Sequence, residues 1–556
     1  MRCSTNLLMS VIASSLLISC ADNNVLDYST EKPAKLVEYE YLNSYDALKT
    51  YVDRDANPNF KLGSGVGVSD FLKGELVHSL ACTNYDELTA GNAMKYGSVV
   101  KNNGAMSFLQ VAKFVAAAKE AGVSIYGHTL CWHAQQNVTY LNSLVSSLNN
   151  CLHLNTPEAR TNIWDWQINY KLPKPMKVGV KYTLQMRVKA SSAIQIGFWP
   201  FTDGGATQYE SSIPASIKWS DVSVSFTAKT ALEKLQFVFG TFKGDLYFDD
   251  ISLTAEGSTE NLVKNGAFDS NNSAGWAKPS WHPYTFNVEG SPDASGSAPL
   301  TPEEKADTLT WAMGQWIKGM MEACDGYVKA WDVVNEPMSD GQPSELKSDP
   351  THEDASNFYW QDYLGKDYAR VAIKLARQYG GDDLKLFIND YNLEAAYNAN
   401  AKCVGLINMI KYWESDGVTK IDGIGTQMHV TYSLNPVTQQ KNEEAVVNMY
   451  TLLAATGKLI KVSELDMGLA DENGETILTT SVTEEQHKAM AEYYKFIIKK
   501  YFEIIPAAQR YGITQWAATD SPTDSGWRKG QPIGLWDLNY NRKHTYAGFA
   551  DGLAGK

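Results

Sequence analysis

Cysteine is scarce in this sequence, seven in 556 residues. Cys3 and Cys20 fall in the N-terminal apolar segment. The other five (Cys82, Cys131, Cys151, Cys324 and Cys403) are scattered, with no close pair. An odd set without paired spacing excludes a disulfide framework and a zinc site. Positive charge is also short. With 49 Lys and Arg against 63 Asp and Glu, the net charge is −14, which excludes nucleic acid and anionic membrane surfaces as partners. Beyond the N-terminus no stretch is long and apolar enough to span a bilayer. A neutral ligand fits this balance better, and 15 Trp and 30 Tyr supply flat apolar faces to meet one.

The N-terminus reads as a targeting segment. Arg2 precedes an apolar run from Leu7 to Ile18, followed by Leu17-Ile18-Ser19-Cys20. A small residue before Cys, directly after the apolar region, resembles a bacterial lipoprotein signal, with Cys20 lipidated as the mature N-terminus; a plain secretory peptide is the alternative. Residues 1–20 would then be the signal and 21–32 a linker. The expected location is the cell envelope, as an outer-membrane lipoprotein. The mildly acidic stretch after Cys20 is compatible with surface exposure, and the lipid anchor is the only membrane contact expected.

Eight short apolar segments recur along the chain, each ending in polar or aromatic side chains. They begin near Lys61, Tyr85, Val123, Val328, Leu384, Ile421, Leu459 and Tyr511. Helical patterns separate most of them. Phe108, Val111, Ala112 and Val115 share one stripe; Leu309, Met313, Trp316, Ile317 and Met320 share another. Thr301-x-x-Glu304 and Thr483-x-x-Gln486 are capping boxes that open two of the helices. Strand and helix alternating eight times predict an α/β fold, a closed (β/α)8 TIM barrel, with its chemistry at the carboxyl ends of the strands.

One interval breaks the rhythm. After "GHTLCWHAQQ" no barrel helix is evident before Thr301. Residues 151–298 show period-two alternation instead, as at Tyr182, Leu184, Met186 and Val188, or Leu235, Phe237 and Phe239. This predicts a β-sandwich inserted after the third strand. The barrel would then comprise residues 33–150 and 299–556. The insert ends in "EGSPDASGSAPL", a linker composition.

Two acids stand out. In "AWDVVNEP", Ala330–Pro337, a run of strand formers stops on Asn335, Glu336 and a proline that cannot continue the ladder. Glu464, in "VSELDM", lies near the end of the seventh segment. They are 128 residues apart, so only the fold can bring them together. One glutamate at a strand end is ordinarily a structural ion pair. Two on one barrel rim supply what glycosidic hydrolysis requires, a proton donor and a carboxylate that attacks or directs water.

These motifs resemble glycoside hydrolase family 10, the barrel xylanases. "GHTLCWH", "WDVVNEP", "FINDYN", "GTQMHV", "SELDM" and "GLWD" match in order. The resemblance implies a retaining endo-β-1,4-xylanase acting on xylan and xylo-oligosaccharides, with Glu464 as nucleophile and Glu336 as acid/base. Glu464 must be ionised at rest, with His429 donating to it and Asp466 orienting that histidine. Asn335 would hold the nucleophile or the sugar 2-hydroxyl. Asn92, Lys95, His128, Trp132 and Gln135 would bind the glycone side, Gln427 would sit near the nucleophile, and Trp516 and Trp527 would stack on pyranose faces. No cofactor and no catalytic metal are expected, and a monomer is. Gly91 stands where the family has Glu, which predicts weaker or altered distal glycone binding.

The insert resembles carbohydrate-binding modules of families 4 and 22. "DLYFDDISL", from Asp245, looks like their closing strand, and "NLVKNGAFD", from Asn261, like their opening strand, here in reversed order. The module is therefore rearranged, or followed by a second copy cut down to one strand. Trp164, Trp166, Trp199, Tyr209 and Trp219 are candidate stacking residues, and Asp249 is a candidate ligand for a structural calcium. The alternative functions are a non-catalytic glycan-binding lipoprotein and a same-family enzyme preferring β-glucan.

Overall fold

The structure is a computed structural model and describes residues 32, 34–145, 150–269, 271–291, 300–351 and 354–556. Cys20, the leader and the linker as far as residue 31 lie outside the described residues, as does most of the serine-rich stretch before Leu300.

All eight predicted barrel strands form. They are Lys61–Val66, Glu87–Ala90, Ser124–Cys131, Ala330–Asn335, Lys385–Asp390, Gly423–Thr426, Leu459–Ala470 and Arg510–Gln515. Each pairs in parallel with the next, and the last pairs with the first, so the sheet closes. Closure leaves no edge, and both faces are covered, which is why these strands are near-continuous apolar runs. Inside the barrel, Lys461 Nζ donates to Glu87 Oε1 (2.7 Å) and the Tyr511 hydroxyl to Glu87 Oε2 (2.9 Å). Gly127 is dictated by packing, because a Cβ there would come within 2.1 Å of the Trp331 ring.

Both capping boxes form, on the helices Pro302–Cys324 and Glu484–Ile504. The stripe Leu309, Met313, Trp316, Ile317 and Met320 is fully buried against the barrel. One barrel helix escaped the sequence reading. Val138–Val145 follows the third strand and buries Leu141 and Val145. At eight residues it is too short to show a helical period.

The insert folds as two five-stranded sheets around one apolar core. It runs from Asn150–Thr156 to Thr285–Gly290, neighbours in one sheet. "NLVKNGAFD" does not form the expected opening strand. Apart from one bridge between Asn261 and Thr254 it is irregular, yet Leu262, Val263 and Phe268 are buried in the core that also holds Phe248 and Leu253. It completes this sandwich and does not begin a second one. Asp249, the candidate calcium ligand, is buried, and burial with the charges of Asp250 and Asp269 pushes its carboxyl up to about 7. Its buried carboxyl lies 3.8 Å from Arg187 Nη1, and among the described residues no three His, Cys, Asp or Glu side chains converge as metal ligands. Calcium takes six to eight oxygens.

Candidate active site

The fourth strand delivers Asn335 as its last residue, buried, and the chain then turns out of the sheet. Glu336 takes a left-handed φ of 53° and donates its N–H to the Asn389 carbonyl (2.7 Å). Met428, directly after Gln427, is also left-handed at 56°. Such conformations are disfavoured for these side chains, and their placement at two site-bearing strand ends shows a backbone held in shape by its surroundings. In the seventh strand, pairing with the eighth shifts register between Val462 and Leu465. This irregularity brings Ser463, Glu464 and Asp466 all to bear on one site.

The two glutamates have different environments. Glu464 is buried. Asn389 Nδ2 donates to its Oε1 (2.9 Å), and His429 Nε2 lies 3.4 Å from its Oε2. Burial alone would raise its pKa. The charges of His128, His429 and Lys95 and the hydrogen bond from His429 outweigh burial and bring it down to about 2. It is ionised across the working range. Burial would lower His429, but Asp466 (3.1 Å from Nδ1) and Glu464 carry it up to about 10. Asp466 is held in turn by Trp527 Nε1 (2.8 Å) and Arg528 Nε (3.2 Å).

Glu336 is less buried and accepts from a donor on each oxygen. Gln427 Nε2 donates to Oε1 (3.0 Å) and Trp132 Nε1 to Oε2 (3.0 Å). Lys347 Nζ stands 3.7 Å and His133 Nε2 4.0 Å from Oε2. Burial, then the Lys347 charge, bring His133 down to about 3, so it is neutral. A line of amides connects the two acids. Gln427 Nε2 also reaches Asn335 Oδ1 (3.5 Å), and Asn389 Nδ2 donates to Asn335 Oδ1 (2.9 Å) as well as to Glu464. Ser463 Oγ fixes the Asn389 amide orientation by donating to its Oδ1 (2.6 Å).

Most of the predicted residues meet here. Lys95 is buried with its ammonium 5.0 Å from the Trp132 ring centre and donates to Asn92 Oδ1 (3.3 Å). Burial lowers its pKa, against the pull of both glutamates. His128 Nδ1 is held by Asp332 Oδ2 (2.8 Å), which leaves Nε2 for a ligand. Trp516 lies with its ring centre 5.6 Å from that of His128 and 6.4 Å from that of His429. Trp527 stands 43% exposed.

Two placements sharpen the expectation. The amide on the nucleophile belongs to Asn389, not Asn335. Asn335 Oδ1 is used up as an acceptor, and its Nδ2 is buried with no hydrogen-bond partner, so it is free to meet a sugar hydroxyl. Gln135 is exposed and left-handed, its carbonyl accepting from Gly97. The sequence reading missed Asn389, Asp332, Lys347, His133 and Arg528 as site residues. Three of them lie inside motifs already quoted, His133 in "GHTLCWH", Asp332 in "WDVVNEP" and Asn389 in "FINDYN".

Comparison with known proteins agrees with this geometry. A sequence profile described as Glycosyl hydrolase family 10 matches residues 52–163 and 292–552, leaving residues 164–291, most of the sandwich, unmatched. Endo-beta-1,4-xylanase Xyn10C of Cellvibrio japonicus is 31% identical over 242 residues, 41% of this chain and 37% of that protein. The thermostable celloxylanase of Thermoclostridium stercorarium is 25% identical over 285 residues, 49% of this chain and 66% of that one. The chain thus spans between about a third and two thirds of these relatives' length. Among solved structures, xylanase B from Clostridium stercorarium F9 superposes with a TM-score of 0.54 at 18% identity, covering 91% of this chain and all of that one. Native xylanase10C from Cellvibrio japonicus gives 0.53 at 20%, covering 92% and 73%. At these identities the structures speak to fold alone.

Proposed function

Since the chain belongs to glycosyl hydrolase family 10, we propose that it is a retaining endo-β-1,4-xylanase working by double displacement. One observation carries this reading. Two glutamates carried by different strands stand on one barrel rim, joined by an amide line but held in unlike environments. Glu464, ionised and aimed by Asn389 and His429, attacks the anomeric carbon. Glu336 gives its proton to the departing glycosidic oxygen as that bond breaks. The glycosyl-enzyme ester then meets water, whose proton returns to Glu336 while its oxygen displaces Glu464, so configuration is retained. The amide and indole N–H groups are in place beforehand, so little reorganisation accompanies charge movement.

Release of reducing sugar from xylan, abolished in Glu464→Ala, tests the reading. Intact, specific binding of xylan without any release would favour a glycan-binding protein instead. Faster cleavage of aryl cellobioside than of aryl xylobioside would shift the substrate to β-glucan.

We further assign the insert as a carbohydrate-binding module. Trp199 lies 5.0 Å from Tyr209 and 6.4 Å from Trp164, ring centre to ring centre, at one end of a sheet. Tyr209 is 69% and Trp164 53% exposed. Trp166, by contrast, is core, its indole donating to the Glu158 carbonyl. Trp219 stands apart from this group, against Arg187 and Tyr247. Loss of co-sedimentation with insoluble xylan in Tyr209→Ala supports the assignment, and undiminished binding in a Trp164/Tyr209 double variant refutes it. The leader sequence supports a cell-envelope location through a lipid on Cys20; a Cys20→Ser protein that still partitions with membranes would contradict it.

A further inference from the structure

The loop after the fourth strand folds back on itself. The Pro337 carbonyl accepts from the Lys347 N–H (2.9 Å), the Glu345 carbonyl accepts from the Ser339 N–H (2.8 Å), and Met338 bridges Leu346 in antiparallel register. This hairpin starts directly after Glu336, so its far arm returns Lys347 to the side of the acid. Lys347 Nζ stands 3.7 Å from Glu336 Oε2, and both side chains are largely buried.

The lysine is held where it stands. Its Nζ donates to the Tyr391 hydroxyl (3.0 Å) and lies 4.5 Å from the centre of that ring. The Tyr391 hydroxyl donates in turn to Asp340 Oδ2. A second lysine, Lys402, lies 3.5 Å from the same ring centre. It donates to Asp340 Oδ1 (2.7 Å) and stands 3.1 Å from Asp390 Oδ1. Asp390 Oδ2 accepts the Met338 N–H (3.0 Å), which closes the network on the hairpin. Lys402 thus has two carboxylates of its own. Among the described residues, Glu336 is the only carboxylate within 4 Å of Lys347 Nζ.

The titratable groups facing this pair come from several elements. Asp340 is on the hairpin, Asp390 and Tyr391 are at the end of the fifth strand, and Lys402 is on the helix Ala401–Glu414. His133 faces it from the loop after the third strand, and Lys95 and Glu464 from across the site. Burial lowers the Lys347 pKa, with Asp390 and Glu336 pulling against it. Burial brings Asp390 up to about 6. His133 is neutral and Lys402 is matched by its own acids, so Lys347 is the cation left to answer Glu336.

When the glycosidic bond breaks, its electron pair stays with the departing oxygen, which takes the Glu336 proton. A carboxylate is left facing the ammonium, so negative charge develops where positive charge already stands. We propose that Lys347 is a positioning residue acting through Glu336: it stabilises the carboxylate formed in the first displacement and keeps it available as base for the second. The proposal rests on the enzymatic reading above.

The experiment compares wild type, Lys347→Met and Lys347→Arg on phenyl and dinitrophenyl xylobiosides, reading kcat/KM against pH. Without the cation Glu336 keeps its proton to higher pH, so the alkaline limb for the phenyl substrate should move up by about one unit in Lys347→Met. At the plateau the phenyl substrate, which needs the proton, should lose about tenfold, and the dinitrophenyl substrate much less. Arginine should restore both the limb and the rate. An unmoved alkaline limb, equal losses on the two substrates, or a shift that arginine does not reverse overturns the proposal, because a packing role alone gives each of these. Should wild type cleave only aryl cellobiosides, the xylan assignment fails and the same comparison on those substrates decides the role of Lys347. A wild type that cleaves neither class fails the enzymatic reading and the proposal with it.

Discussion

Asn389 directs the two N–H bonds of its side-chain Nδ2 at two acceptors, Glu464 Oε1 and Asn335 Oδ1, each at 2.9 Å. It lies at the end of the fifth strand, between the strands that carry the two acids. The same residue accepts the Glu336 N–H on its backbone carbonyl. One asparagine therefore fixes the nucleophile by its side chain and the acid/base by its main chain.

Asn389→Ala removes this tie and leaves buried acceptors unpaired, a loss of about 1–3 kcal/mol. The expected result is a fall in kcat of about tenfold to a hundredfold with a smaller change in KM, measured on aryl xylobioside. A change confined to KM would show that Asn389 only binds substrate.

Glu336→Ala removes the proton donor but leaves the nucleophile in place. Its effect should depend on the leaving group. Xylan, with a poor leaving group, loses about 10²–10⁴-fold in rate, whereas a dinitrophenyl xylobioside is cleaved to its glycosyl-enzyme with far less loss. Equal losses on both would remove the acid/base role from Glu336.

His429 and Glu464 support one another electrostatically, and pH exposes this. His429, near 10 when folded, stands above its free value of about 6.5, so its contribution is complete below about 6.5 and is lost as pH rises toward 10. Glu464, near 2, stands below its free value of about 4.3, so its contribution is complete above that and is lost as pH falls toward 2. In His429→Gln the nucleophile loses a cation, and the acid limb of kcat/KM should move to higher pH by about one unit. An unmoved acid limb would deny the coupling.

Glu87 and Lys461 form a fully buried pair inside the barrel, with the Lys461 ammonium 3.9 Å from the Tyr126 ring centre. Glu87→Ala leaves that ammonium unpaired and should destabilise the fold by about 3–5 kcal/mol, read by denaturant unfolding. A change below about 1 kcal/mol would mean that the lysine relaxes toward water.

Much of this was legible in the chain. The strand ends showed themselves because a buried parallel strand is apolar throughout, so Glu336, Glu464 and Asp466 stand out within it. Asn389 did not, since an amide after apolar residues is as common at a turn as at a site, and its role needs the neighbouring strands in place. Lys347 and Arg528 come from loops, whose course no periodicity reveals. The insert's alternation was plain, but "NLVKNGAFD" read as a strand because it resembles the opening strand of carbohydrate-binding modules of families 4 and 22. In the fold its apolar residues reach the core from an irregular segment laid against a finished sheet.

The central claim is that Glu464 becomes covalently bound to the sugar. Incubation with a 2-deoxy-2-fluoro-β-xylobioside, digestion and peptide mass spectrometry test it directly. The account predicts a stoichiometric glycosyl adduct on the peptide carrying Glu464, lost in Glu464→Ala. An enzyme that turns over xylan with inversion and forms no adduct, or carries the sugar on another carboxylate, would contradict it.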